Sequence, residues 1–229
     1  MKITWRSEIA SWLGLALILA LAVWGWATLP DRIPVHWNIT GQIDRYGDKI
    51  EGVLLIPALA VGIYLLLLFL PRIDPGRANY ARFAGSYALI RASILVMLAA
   101  VYLASMLVAD GVPVDIPTAV GGVVGGLLVA LGAVFGKVRP NWFVGIRTPW
   151  TLSSEMSWTR THRLGGWLFI LMGIALAASA VSHAVIAIYV TIGFIFVSTI
   201  WLFVYSYLVW RSDPDRVPPA GVMPAEERG

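Results

Sequence analysis

The sequence predicts an all-α integral membrane protein with six transmembrane helices and with both termini in the cytoplasm. Of its 229 residues, 59% are hydrophobic and 13% are charged, whereas average soluble domains have about 45–50% apolar and about 25% charged residues. So little polar surface could not cover one soluble core, which excludes a cytosolic globular enzyme. Six apolar runs are long enough to cross a bilayer, which takes about 20 helical residues. They lie near residues 9–29, 52–70, 86–109, 116–135, 164–182 and 184–210.

The first run and the loop after it come first along the chain. The run follows Lys2 and Arg6, is longer than a signal-peptide core and ends without a small-residue cleavage site, so we expect an uncleaved span. The spaced Pro and Gly of residues 30–51 predict successive turns. A metal site there is a loose alternative to a structural or binding loop, and we predict no metal. The candidate binding residues of this loop are Pro34, His36, Trp37, Asn38, Gly41, Asp44, Tyr46 and Lys49.

The third and fourth runs carry unusual residues. Arg91 lies about five residues inside the third run, where its side chain can snorkel to the interface or can form an internal ion pair or part of a solute pathway. No acidic residue lies within the six runs. The fourth run contains two small-residue ladders, which predict either packing within the chain or a homodimer seam. Its glycines are Gly121, Gly122, Gly125, Gly126, Gly132 and Gly136.

The motif loop, residues 136–163, connects the fourth and fifth runs. Ser153 or Ser154 is a plausible helix N-cap, with Glu155 in the first turn, so a helix is predicted to continue into the fifth run. Glu155, Trp158 and His162 would share one face, either for binding or for placement at the membrane interface. Arg147 is predicted to bind the Glu155 carboxylate through two hydrogen bonds. The candidate binding residues here are Asn141, Gly145, Arg147, Thr148, Pro149, Trp150, Ser154, Glu155, Trp158 and His162.

The distribution of charge predicts the orientation. Thirteen Lys and Arg residues fall on the side of the N-terminus and three on the other side, which favours a cytoplasmic N-terminus and motif loop and an outer 30–51 loop. The basic balance therefore reflects topology rather than nucleic-acid binding. His36 and His162 would lie on opposite sides of the bilayer, so they cannot share an active site, and we predict no catalytic residues and no cofactor. The absence of cysteine excludes disulfides, thiolate metal sites and thiol catalysis.

The division of the chain follows from these features. Residues 1–85 are predicted to form an N-terminal membrane region with the structured 30–51 loop. Residues 86–211 are predicted to form a second membrane region that includes the motif loop. Residues 212–229 are rich in Pro and charge, and a disordered tail is predicted.

Two segments resemble known families. The run Gly145-Ile-Arg-Thr-Pro-Trp-Thr-Leu-Ser-Ser-Glu155, followed by Trp158 and Thr161-His-Arg-Leu-Gly-Gly166, resembles the signature of the SdpI family of bacterial membrane proteins. The upstream Ile33-Pro-Val-His-Trp-Asn38, with Gly41, Asp44, Tyr46-Gly47 and Lys49, resembles the uncharacterised domain that often precedes it.

The resemblance implies a multi-pass protein of the bacterial cytoplasmic membrane that confers immunity to a secreted antimicrobial peptide toxin. It also implies that the protein signals by holding a cytoplasmic repressor at the membrane. Both roles concern binding rather than catalysis, and the expected partners are the bilayer, a peptide outside and a repressor inside. A small-solute transporter or channel, with Arg91 and the glycine-rich fourth span along its path, is the alternative. A membrane enzyme using Glu155 and His162 is a third hypothesis.

Overall fold

The computed structural model describes residues 4–217 and consists mainly of long helices. Within this part of the chain, six helical segments are long and apolar enough to cross a membrane, which confirms the predicted class. The orientation of the termini stays a prediction. The long helices are α1 (Trp5–Thr28), α2 (Leu55–Ile73), α3 (Ala84–Ala109), α4 (Ile116–Phe135), α6 (Glu155–Ser182) and α7 (Val185–Arg211), and the short α5 spans Pro149–Leu152.

The helix starts extend beyond the apolar runs. Thr4 and Ser7 cap α1 reciprocally, so this helix includes Glu8 in its first turn. Ser154 is the N-cap of α6, and its hydroxyl accepts a hydrogen bond from the Ser157 amide at 2.8 Å. The predicted cap and the helix through the end of the motif loop are therefore confirmed.

The 30–51 loop contains more regular structure than successive turns. Strand β1 (Arg32–Trp37) pairs antiparallel with β2 (Ile43–Asp48), and a single π-helical turn (Ile50–Leu54) leads into α2. Turn structure is confined to the tip, residues 38–42. Ile33 is fully buried and packs with the core between α1 and α3, so the hairpin is fixed to the helices.

Glycines allow α4 and α6 to approach closely. An ideal Cβ at Gly125 would lie 2.5 Å from the Gly173 carbonyl oxygen, and one at Gly132 would lie 2.5 Å from the Gly166 oxygen. The two pairs are seven residues apart on each antiparallel helix, which places them on the same contact seam. The structure thus shows packing within the chain at these positions. A Cβ at Gly122 or Gly126 would meet nothing within 4 Å, and a homodimer seam on that side stays a prediction.

The chain after α7 turns back towards the motif loop. Asp213 is buried and accepts a hydrogen bond from the Ser154 hydroxyl at 2.5 Å, and the Val217 amide donates to the Ser153 carbonyl at 3.1 Å. The predicted disordered tail thus begins with residues that contact the loop. Its remainder, residues 218–229, lies outside the described residues.

Candidate functional site

The helical bundle has two different ends. The hairpin end comprises residues 30–51, 110–115 and 183–184, and the motif end comprises the start of α1, residues 72–83, the motif loop and the residues after α7. Between residues 4 and 217, the hairpin end carries six carboxylates and three Lys or Arg residues, whereas the motif end, with Arg211 at the end of α7 included, carries five carboxylates and eleven Lys or Arg residues. The two ends would therefore attract ligands of opposite charge.

A mostly apolar pocket of about 330 Å³ lies at the hairpin end. Its walls come from the hairpin, the start of α4, the end of α6 and the start of α7. The size and lining suit an apolar side chain or a short apolar segment. The lining residues are Val35, His36, Trp37, Asn38, Ile39, Ile116, Pro117, Val120, Gly121, Leu176, Ser179, Ala180 and Ile188.

The hairpin tip is shaped by Asn38 and Gly41. Asn38 Oδ1 accepts hydrogen bonds from the amides of Thr40 and Gln42 at 3.0 and 2.9 Å, which closes the turn. Gly41 has a φ of +83°, and a Cβ there would collide with the Pro117 ring at the start of α4. These two predicted residues therefore hold the tip against the helix that forms one wall of the pocket.

Two histidine–carboxylate pairs lie beside this pocket. His36 Nδ1 is 2.6 Å from Asp44 Oδ1, and His183 Nε2 is 3.4 Å from Asp115 Oδ2. Asp115 is the N-cap of α4. Hydrogen bonding from the Thr118 side chain is the main cause that lowers the pKa of Asp115, and His183 lowers it further. Asp115 therefore stays ionised at neutral pH.

The remaining predicted residues of the hairpin support its fold. Lys49 Nζ donates to the Leu29 carbonyl at 2.7 Å, which joins the base of the hairpin to the end of α1. Pro34 pairs with Tyr46 across the strands. Tyr46 is about half exposed and is the accessible member of the three. No group of three or more His, Cys, Asp or Glu side chains that could hold a metal occurs within residues 4–217.

At the motif end, most predicted site residues fix the shape of the loop. Asn141 is buried; its Oδ1 accepts from the amides of Phe143 and Val144, and its Nδ2 donates to the carbonyls of Arg139 and Val144. The Thr148 hydroxyl caps α5 and lies 3.0 Å from the Ser206 hydroxyl on α7. Such polar contacts stabilise one loop conformation.

His162 is buried in the centre of this network. Its Nε2 accepts a hydrogen bond from the Ile146 amide at 2.9 Å, and its Nδ1 lies 2.8 Å from the Trp158 carbonyl oxygen. The first bond requires an unprotonated Nε2, so Nδ1 carries the proton and the ring is neutral. Trp158 stacks on the ring and donates from Nε1 to the Val138 carbonyl. Gly145 has a φ of +119°, and a Cβ there would collide with the imidazole.

This geometry corrects two interpretations of the motif loop. His162 and Trp158 belong to the core rather than to an exposed face, and Glu155 is exposed and separate from them. Arg147 does not bind Glu155: its Nη1 donates to the Trp142 carbonyl at 2.8 Å, and the ion pairs within residues 4–217 do not include the expected one. The short helix α5 lies between the two residues along the chain.

The exposed members of the loop form a small surface. Arg147 and Pro149 are exposed, and Trp142 and Phe143 present 56% and 41% of their surface. Trp150 is half-buried and packs against Phe203 on α7. These side chains, rather than His162, are available to a partner.

Sequence reasoning missed the support beneath this surface. Asp74 is buried, and its carboxylate accepts hydrogen bonds from the Tyr80 hydroxyl at 2.8 Å and the Trp142 amide at 3.2 Å. Asn79 Nδ2 also donates to the Pro140 carbonyl at 2.7 Å. The α2–α3 connection therefore holds the motif loop. The Asp-Pro-Gly sequence at 74–76 signals a turn, but nothing local signals the burial of its carboxylate.

The sequence reasoning also missed the partner of Arg91. Arg91 and Glu8 are both fully buried and form a two-point ion pair: Nε donates to Glu8 Oε2 at 3.0 Å, and Nη2 donates to Oε1. Ser7 donates a further hydrogen bond to Oε1 at 3.0 Å. The expectation that Arg91 snorkels is wrong, and the internal ion pair is correct.

Arg91 and these glycines of α4 do not line a common solute path. Arg91 forms its ion pair with Glu8 between α1 and α3, whereas Gly121, Gly125 and Gly132 pack against α6. The two features thus face different parts of the bundle.

Comparison with known proteins identifies two segments. Residues 137–206 match the SdpI/YfhL protein family, and residues 13–61 match DUF1648, a domain of unknown function. The "Immunity protein SdpI" of Bacillus subtilis (strain 168) is 27% identical over 149 residues, which cover 65% of this chain and 69% of that protein. No solved structure gives a significant match. The chain is therefore a multi-pass protein of the bacterial cytoplasmic membrane and a homologue of SdpI, with a DUF1648 domain before its SdpI/YfhL segment.

Proposed function

We propose that this protein confers immunity by binding a secreted antimicrobial peptide at the hairpin end. The pocket between the hairpin and helices α4, α6 and α7 is the observation that carries the proposal. The B. subtilis homologue is named as an immunity protein. With the N-terminus in the cytoplasm, as the charges predict, the pocket faces the side from which a secreted peptide arrives.

The chemistry of this end defines the kind of peptide. The apolar walls would take an apolar side chain, and burial of such a side chain contributes about 1.5–3 kcal/mol. The excess of carboxylates over Lys and Arg around the pocket would attract a cationic peptide. The expected ligand is therefore amphipathic, with a net positive charge. Binding alone would keep such a peptide from its target, so no catalytic step is needed.

A pair of tryptophan substitutions on α7 tests the pocket. Ile188 lines it, whereas Ile192 lies one turn further on, is half exposed and does not line it. Both variants would be produced at equal membrane levels in a sensitive bacterial strain, which is then challenged with secreted cationic peptides that the parent protein protects against. Ile188→Trp should abolish protection because its indole fills the pocket, and Ile192→Trp should protect as the parent does. Equal protection by both variants would refute binding in this pocket.

We propose secondly that the motif end holds a repressor protein in the cytoplasm. The exposed Trp142, Phe143 and Arg147 on a rigid loop support this role, as does the basic charge of that end. The partner face would be acidic with an apolar centre. A fluorescent repressor should move to the membrane when peptide is added, and Arg147→Ala should prevent this without loss of protection. A relocation that Arg147→Ala and Trp142→Ala leave unchanged would exclude this surface.

A further inference from the structure

A second pocket, of about 300 Å³, lies at the motif end in the cleft between the end of α4 and the start of α6. Two of its three glycines, Gly132 and Gly166, belong to the close contact between the two helices. The two helices stay close up to the end of α4: an ideal Cβ at Gly136 would lie 3.8 Å from the Arg163 Cα atom. The cleft is separate from the hairpin pocket and from the exposed surface of the motif loop.

Two cations lie at the mouth of this cleft. Lys137 follows the C-cap of α4, and Arg163 lies on α6; both line the pocket and both are exposed. Neither forms an ion pair with a carboxylate in the described part of the chain. Two like charges beside one pocket repel each other, and an anion bound between them would remove that repulsion.

The lining changes from charged to apolar along both helices. On α6, Arg163 is followed one turn later by Trp167 and then by Ile170, over a rise of about 10 Å. Helix α4 runs in the opposite direction, and its Ala133 lies about one turn before Lys137, which follows the end of the helix. Trp167 is 65% exposed, as tryptophans at a membrane interface are. The order of the lining residues therefore matches the order of groups in a phospholipid. The cations match the phosphate, the aromatic ring matches the glycerol region, and the apolar side chains match the acyl chains.

We propose that this cleft binds an anionic phospholipid of the surrounding bilayer. Lys137 and Arg163 hold the phosphate, and an acyl chain lies against Ala133 and Ile170. Basic pockets between transmembrane helices are a known form of binding site for anionic headgroups. The lipid would fill the cleft that the glycine contacts leave at the membrane surface, and it would thereby stabilise the α4–α6 pair.

The test measures lipid retention by native mass spectrometry. The purified protein is titrated with phosphatidylglycerol or phosphatidylcholine in detergent, and each variant is compared with the parent. The parent should prefer phosphatidylglycerol, and the variant Lys137→Gln/Arg163→Gln should lower that preference by about thirtyfold, given the usual contribution of each cation. Arg160→Gln is the matched control: Arg160 is exposed on the same helix but does not line the pocket.

Two further measurements separate a lipid site from a simple anion site. Ala133→Leu keeps both cations but narrows the apolar part of the cleft, so it should also weaken retention of phosphatidylglycerol. Inorganic phosphate at millimolar concentration should not displace the lipid, since it lacks the acyl chain. A preference that survives in Lys137→Gln/Arg163→Gln, or that Arg160→Gln lowers equally, would overturn the proposal. Unchanged retention in Ala133→Leu, or displacement by phosphate, would reduce the site to an anion site and overturn the assignment to a lipid.

Discussion

Replacing Gly132 by alanine tests whether the α4–α6 contact depends on the absence of a side chain. The added Cβ would lie 2.5 Å from the Gly166 oxygen and 2.9 Å from the Ile170 amide nitrogen, whereas ordinary contacts begin at 3.4 Å. The helices would have to separate locally by about 1 Å, and overpacking of this kind costs about 1–3 kcal/mol. Alanine itself favours a helix over glycine by about 1 kcal/mol. We therefore expect a net loss of up to about 2 kcal/mol in the free energy of unfolding.

The same helix supplies the control. Gly126→Ala adds the same methyl group where nothing lies within 4 Å, so only the gain in helix propensity remains and the variant should be as stable as the parent or more so. Unfolding in mixed micelles with increasing SDS, followed by circular dichroism, measures the difference. Equal midpoints for Gly132→Ala and Gly126→Ala would refute the close contact, and a loss of stability in Gly126→Ala would place another helix or a second copy on the open side.

Three further predictions concern the ion pair, the motif loop and the topology. Glu8→Gln leaves the buried Arg91 without its counter-charge and should cost about 3–5 kcal/mol in the same unfolding assay, whereas Glu51→Gln, at the exposed pair with Arg45, should change stability by less than about 1 kcal/mol. Gly145→Ala should destabilise the protein by about 1–3 kcal/mol, because its φ is positive and the methyl group displaces His162; Gly85→Ala, which meets nothing within 4 Å, should not. A reporter that is active only in the cytoplasm should work when it is fused after Gly229 or inserted within residues 72–82. A reporter that is active only outside the cell should work when it is inserted near Gly41. The reverse pattern would contradict the predicted orientation.

The helices were predictable because they depend on local sequence. Hydropathy alone separates the six membrane helices, and the Ser154 cap with Glu155 after it marks the true start of α6.

The hairpin was missed because Pro34 and the glycines were interpreted as turn residues. Ile33, Val35 and Trp37 alternate with polar or Pro residues, and this period of two was the available signal for β1.

The ion pair could not be read from local sequence. Glu8 lies one residue before the first apolar run, so a boundary drawn by hydropathy leaves it outside the membrane, although the Thr4 cap starts the helix earlier. Its partner Arg91 is 83 residues away. Only the packing of α1 against α3 brings the two charges together. The same reason applies to Asp74, whose carboxylate is buried by a loop from a distant part of the chain.

The two segments that match known families are joined through helices outside both matches. Helix α3 contacts the DUF1648 segment, where the Tyr102 hydroxyl donates to the Val53 carbonyl at 2.8 Å. Helix α4 contacts the SdpI/YfhL segment through the glycine pairs. Tyr102→Phe removes one hydrogen bond and should cost about 1 kcal/mol, and it shares no contact residue with Gly132→Ala. The two losses of stability should therefore add to within about 0.5 kcal/mol in the double variant. A double variant that differs from the sum by more than about 1 kcal/mol would show that the two joints are coupled through α3 and α4, and would refute their independence.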